Sequence, residues 1–153
     1  MQTFLPYASF LATASVLDSR RLNKQITETW QILNAIENGG AWQNHPAVQM
    51  WTEYKDCLIV YGIILYSEWQ RRYQDGKRGG KLEHKAGEKL RSRYSYEYPH
   101  KPPWLGDERL HKTHRACLLA KNYEHYSQFG WTEKPTSKTK DGWPYWWPTN
   151  TNT

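Results

Sequence analysis

From Asp18 to Glu37 the apolar residues Leu22, Ile26, Trp30, Leu33 and Ile36 recur at intervals of three and four, which is the period of one buried helix face. Asp18 stands where an N-cap belongs, and Gly39-Gly40 stands where the chain must leave the helix. A second stripe of Ala47, Trp51, Tyr54, Leu58, Tyr61, Leu65 and Trp69 predicts one continuous helix from Pro46 to about Tyr73, with Pro46 as its first residue. A third helix follows Asp107, which can cap, and runs through Leu110, Thr113 or His114, Cys117, Leu118 and Lys121 to about Tyr126. A short helix is expected over Lys81 to Arg91. Strand-like alternation is absent, and Pro99 to Pro103 and Gly130 to Thr153 read as loop. The pattern predicts an all-α single compact domain of three main helices over residues 1–148, with 149–153 as a disordered tail.

A chain of 153 residues can bury a core without a metal or disulfide. Nine Trp, eleven Tyr and three Phe confirm that it has the material for one, and such aromatic content excludes a disordered chain. The longest apolar run, Cys57 to Tyr66, is half the roughly 20 residues that span a bilayer, so no membrane segment is expected. The stretch Met1 to Tyr7 lacks the basic and apolar regions of a secretory signal. Cys57 and Cys117 both sit in helical patterns, which suggests no disulfide framework and a cytoplasmic protein, associated with the nucleoid or residing in a host cytoplasm if viral.

Charge narrows the partner. Lys and Arg number 21 against 15 Asp and Glu, a net +6. Arg71 to Arg93 contains nine basic and three acidic residues, so this one segment holds the entire excess. It also contains Gly76, Gly79, Gly80 and Gly87. A basic loop over about 74–103, with Lys77, Arg78 and Lys81 as phosphate contacts, fits a nucleic-acid partner; a merely solvated loop is the alternative.

On the first helix, Arg21, Lys24, Glu28 and Gln31 share a face opposite Leu22, Ile26 and Leu33, with Arg20 and Gln25 flanking it. Lys24 and Glu28 alone would be an ordinary surface ion pair. A single carboxylate among cations beside a basic loop instead suits acid–base work where phosphates are held.

The words Met1-Gln2-Thr3-Phe4-Leu5-Pro6-Tyr7, Val16 to Gln25 with Glu28, Asn44-His45-Pro46-Ala47-Val48-Gln49-Met50-Trp51 and Leu105 to Arg115 together carry a resemblance. The sequence resembles the pyrimidine-dimer DNA glycosylase family typified by bacteriophage endonuclease V, in a divergent bacterial and phage branch. The likeness runs from Met1 to about Tyr126. It implies an all-α fold whose N-terminal segment threads among the helices, no metal or other cofactor, and a double-stranded DNA partner bearing a damaged or modified base. It also implies an α-amino nucleophile at the chain's start and an assisting carboxylate, which matches Glu28. Such an amine, with a pKa near 7.7 to 8.0, is partly unprotonated at neutral pH and can form an imine with C1′. In the enzyme that typifies the family Met is removed to expose a small residue, whereas bulky Gln2 predicts retention of Met1. The nucleophile candidates are therefore the Met1 amine, Lys24 and a water activated by Glu28.

His111 and His114, three apart with Asp107 and Glu108 upstream, invite a metal reading that no second ligand pair supports. With Arg115 they are candidate DNA contacts or, alternatively, a hydrogen-bonded core pair. His45 could reach an anion at a helix N-terminus or serve as a cap. The aromatic C-terminal tail at about 142–148 offers Trp143, Tyr145, Trp146 and Trp147 for stacking against unstacked bases, or for covering a gap in the core. The expected activity is excision of a damaged or modified pyrimidine, possible abasic-site lyase chemistry included, by a monomer. The competing reading is a catalytically inactive DNA-binding or small-nucleotide-binding module on the same fold.

Overall fold

The computed structural model describes residues 1–73, 83–95 and 97–148. Lys77, Arg78 and Lys81, the heart of the expected basic loop, lie outside the described residues, as do 149–153. The described residues form helices without strands, built into a single domain; their only β pairing is the isolated bridge between Thr139 and Gly142. No helix among them is long and apolar enough to cross a membrane.

Helix α1 spans Phe10–Val16, opened by Ser9, whose hydroxyl accepts from the Ala12 amide. Helix α2, Ser19–Asn38, is the first predicted helix almost to the residue. Its buried face carries Leu22, Gln25, Ile26, Thr29, Ile32, Leu33 and Ala35. Gly39 ends it at φ 72°, a left-handed value at which a side chain would be strained.

The expected continuous helix from Pro46 to Tyr73 is two helices: α3, Pro46–Gln49, and α4, Lys55–Tyr73. Between them the amides of Trp51, Thr52 and Tyr54 bond three residues back, to Val48, Gln49 and Trp51. This tight turn buries Trp51 completely and lets its indole N–H donate to Thr3 Oγ1 at 2.9 Å. The Met50 carbonyl turns to accept from the Trp104 indole at 3.1 Å. Both partners are distant in sequence, so the helical period of the stripe could not reveal the break.

Helix α5, Lys85–Ser92, packs on α2 and α4. A Cβ on Gly87 would lie 2.5 Å from the Tyr66 ring, so the close approach of α5 to α4 requires glycine there. Helix α6, Glu108–Lys121, is capped by Asp107 as expected. It stops short of Tyr126 because Asn122 leaves helical geometry, at φ −153° and ψ 74°, and caps the four-residue α7, Tyr123–Tyr126, through its side chain. The core gathers Leu5, Leu17, Leu22, Ile26, Leu33, Trp51, Tyr61, Leu65, Leu118 and Tyr126, all buried.

Candidate active site

A cavity of about 380 Å³ opens where three parts of the chain meet. The N-terminal segment supplies Met1, Gln2 and Phe4; α2 supplies Arg20, Arg21, Lys24, Gln25 and Glu28; α6 and the tail supply Lys121, Trp143 and Tyr145. The spacing of the α2 residues is what brings them to one wall, since three- and four-residue steps return to the same helix face.

Among the described residues Glu28 is the one carboxylate that lines the cavity. Its side chain is 18% exposed and sits 3.9 Å from the Lys24 ammonium, whereas Lys24 itself is 74% exposed. Arg21 is aimed by the residue below it: its guanidinium bonds both Asp18 oxygens at 3.3 Å, and Asp18 also accepts from the buried Tyr126 hydroxyl. That commitment explains why Asp18 makes no side-chain cap on α2. Arg20, exposed, has no ion pair or hydrogen bond among the described residues, so its charge is available at the cavity mouth.

The N-terminal wall is held by buried polar side chains. Gln25 accepts from the Phe4 amide at 3.1 Å and donates to the Gln2 carbonyl. Tyr61 donates to the Phe4 carbonyl at 2.7 Å, and burial, with the charge of Glu28 adding to it, holds this phenol well above its usual range. The Leu5 amide donates to His114 Nδ1 at 2.9 Å, and His111 Nδ1 meets the Leu5 carbonyl at 2.8 Å. Arg115 donates to the Pro6 carbonyl at 2.8 Å while pairing with Glu133 at 2.9 Å and with Glu108.

His111, His114 and Arg115 are thus not the DNA-facing trio that the sequence suggested. The two imidazoles are 2% and 0% exposed, and all three reach inward because residues 111, 114 and 115 lie on the face of α6 that meets residues 5 and 6. The hydrogen-bonded core pair, the blander alternative, describes the histidines. Burial brings the His114 pKa down to about 3, with the neighbouring His111 acting in the same direction.

The opposite wall is the tail, which runs antiparallel along one stripe of α6. Arg109 stacks at 4.5 Å over Trp146, Thr113 Oγ1 accepts from the Trp146 amide at 3.2 Å, Cys117 Sγ meets the Tyr145 hydroxyl at 3.0 Å, and Lys121 Nζ lies 4.7 Å over Trp143. Those four α6 residues are each four apart. The tail therefore covers the core and also faces the cavity, with Trp143 and Tyr145 on the lining and Trp146 turned to Arg109. Trp147 packs edge-on against Tyr145 and His45, and the exposed Trp42 continues that row of rings past His45. His45 itself caps α3, accepting from the Ala47 amide at 3.0 Å. Burial lowers its pKa, and the positive charge of the chain's terminal amine lowers it further.

A family model described as pyrimidine dimer DNA glycosylase matches residues 1–78, which is half of the chain. The chain belongs to the pyrimidine dimer DNA glycosylase family. No curated protein and no solved structure matches it. The family match covers the N-terminal wall and the whole α2 wall of the cavity, from Met1 to Glu28. The third wall, with Lys121 and the tail, lies beyond it.

Lys121 is the cavity residue that the sequence reading missed as a functional group. It falls on the apolar period after Cys117 and was legible there only as part of a helix. Burial holds its ammonium below the ordinary lysine range, and the charges of Arg21, Lys24 and Lys138 push the same way. Gln2 and Gln25 gave no stronger signal, since only the fold shows that Gln25, 1% exposed, braces the N-terminal segment. Among the described residues no group of three or more His, Cys, Asp or Glu is placed to hold a metal.

Proposed function

We propose that this protein is a DNA repair glycosylase that excises a damaged or modified pyrimidine by imine chemistry at the cavity, with Met1 supplying the amine and Glu28 the proton transfers. The observation that carries the reading is that Met1 and Glu28 line one cavity whose remaining ionic groups are Arg20, Arg21, Lys24 and Lys121. One carboxylate among four cations suits a polyanionic backbone around a reacting sugar. To reach C1′ the nucleotide must leave the base stack, and Trp143 and Tyr145 offer ring surfaces to what is exposed.

The terminal amine first passes a proton to the Glu28 carboxylate; its nitrogen then bonds to C1′ as the bond from C1′ to the base nitrogen breaks, and the base leaves with that bond's electron pair and takes the proton from Glu28. The bonded nitrogen loses one of its two protons, and its electron pair opens the sugar as the C1′–O4′ bond breaks and O4′ takes up a proton, which gives the protonated imine. Removal of a C2′ proton by the Glu28 carboxylate then expels the 3′ phosphate, which is the abasic-site lyase step. Lys24 suits the nucleophile's role less, since its side chain is 74% exposed, whereas Met1 belongs to a segment whose next residues are buried.

The test is borohydride trapping on end-labelled duplexes carrying a cyclobutane dimer, an abasic site or modified pyrimidines, followed by mass mapping of the adduct. An adduct on Met1 is expected, lost when one or two residues precede Met1. An adduct on Lys24 or Lys121 would move the nucleophile. Excision without an adduct would indicate water activated by Glu28, and neither excision nor adduct on any substrate would favour a non-catalytic DNA-binding module.

A further inference from the structure

Residues 2 to 6 of this chain are buried, yet their backbone is not paired in a helix or sheet. A buried peptide segment needs partners for its N–H and C=O groups. Here side chains provide them, and three of the partners come from one helix face: His114 on the Leu5 amide, His111 on the Leu5 carbonyl and Arg115 on the Pro6 carbonyl. The two histidines use opposite tautomers. His111 accepts at Nε2 from the Gly106 amide at 2.9 Å, so its proton is on Nδ1 and points at Leu5 O. His114 accepts at Nδ1, so its proton is on Nε2, where it has no hydrogen-bond partner among the described residues.

An unpaired buried donor is a cost to folding, and His114 carries it at a particular place. Its ring meets Phe4 edge-on at 6.0 Å and Tyr145 at 5.4 Å, and both of those residues line the cavity. The imidazole therefore stands between the two walls, four residues from Met1 along a segment whose every intervening residue is anchored. A reaction between positioned groups is sensitive to displacements of an ångström.

We propose that His114, supported by His111 and Arg115, is a positioning residue for the chain's terminal amine: its grip on the Leu5 peptide fixes how far Met1 reaches toward Glu28 and the substrate's C1′. This role rests on the reading of the Met1 amine as nucleophile. It assigns the histidines to the reaction through the backbone and gives them no contact with DNA.

The experiment compares His114→Leu with His114→Asn. The Asn side chain can place an oxygen where Nδ1 accepts from the Leu5 amide; Leu fills the site and accepts nothing. The rate of borohydride trapping on an abasic-site duplex is measured at saturating DNA, with DNA affinity and thermal melting alongside. His114→Leu is expected to melt cooperatively, bind DNA as the wild type does and trap at least tenfold more slowly, with His114→Asn restoring most of the rate. Wild-type trapping by the Leu variant, or equal loss in both variants, overturns the proposal. If His114→Leu does not fold, Arg115→Met and Arg115→Lys pose the same contrast at the Pro6 carbonyl: slower trapping by Met than by Lys supports the grip, and equal rates overturn it. Adduct mapping on the wild type separates the two levels. An adduct on a lysine removes the amine reading and the positioning role with it, whereas an adduct on Met1 with unaffected variants removes the positioning role alone.

Discussion

The two ends of the chain wall the same cavity by different physical means. Residues 2 to 6 are buried and braced by polar side chains from α2, α4 and α6. The tail from Trp143 to Trp147 is half-buried and lies along one stripe of α6, held by two cation–π contacts, one backbone hydrogen bond and a thiol–phenol contact. Hydrogen bonds inside a core fix atoms, because breaking any one leaves a buried group unpaired. Stacked cations and ring edges at a surface are worth roughly 0.5 to 1 kcal/mol each and tolerate sliding. A rigid wall suits a reacting group, and an adaptable aromatic wall suits a variable base.

The largest effect should come from the α2 carboxylate that lines the cavity together with the rigid wall. Glu28→Gln keeps shape and removes proton transfer, so excision is expected to fall by at least about 100-fold while duplex affinity stays near wild type. Single-turnover excision and a binding titration check this, and undiminished turnover would remove the carboxylate from the mechanism. On the tail side the order reverses. Trp143→Ala should weaken binding of the damaged duplex by roughly 1 to 3 kcal/mol, with little change in the rate at saturation. A variant that binds normally and reacts slowly would place the tail among the chemical rather than the recognising groups.

A smaller effect concerns acid. The folded-state pKa of His114, about 3, lies below the ordinary 6.5, so between these values the unfolded chain binds the extra proton. Its contribution to stability is complete above about pH 6.5 and declines as pH falls toward 3. Melting of the wild type should therefore fall more steeply between pH 6 and 4 than that of His114→Asn, and parallel curves would contradict the burial of a neutral imidazole. On the tail the same imidazole makes only an edge-on ring contact with Tyr145, at 5.4 Å, and no hydrogen bond.

Some of the site was plain in the sequence. Arg21, Lys24 and Glu28 could be placed on one wall from their spacing alone, with Arg20 flanking it, because a helix maps sequence interval onto direction; Gln31, expected on the same face, does not line the cavity. Trp143 and Tyr145 were visible as rings but not as the wall facing Glu28. His111, His114 and Arg115 were visible as a cluster, and their direction was misjudged, since nothing local says that the N-terminal segment occupies the space beside α6. The break at Met50 was invisible for the same reason: it serves Thr3 and Trp104, and a periodic stripe looks the same whether the helix bends or continues.

By itself, then, the sequence determined the all-α class, the first helix with its polar face, and the family, because each depends on neighbours within a few turns or on words read in order. The tertiary structure decided which polar residues face inward, where the second helix breaks and how both chain ends close on one cavity. Those outcomes depend on partners far apart in the chain, such as the Leu5 amide and His114, 109 residues apart, and on the rule that a buried polar group must find its partner wherever the chain brings one.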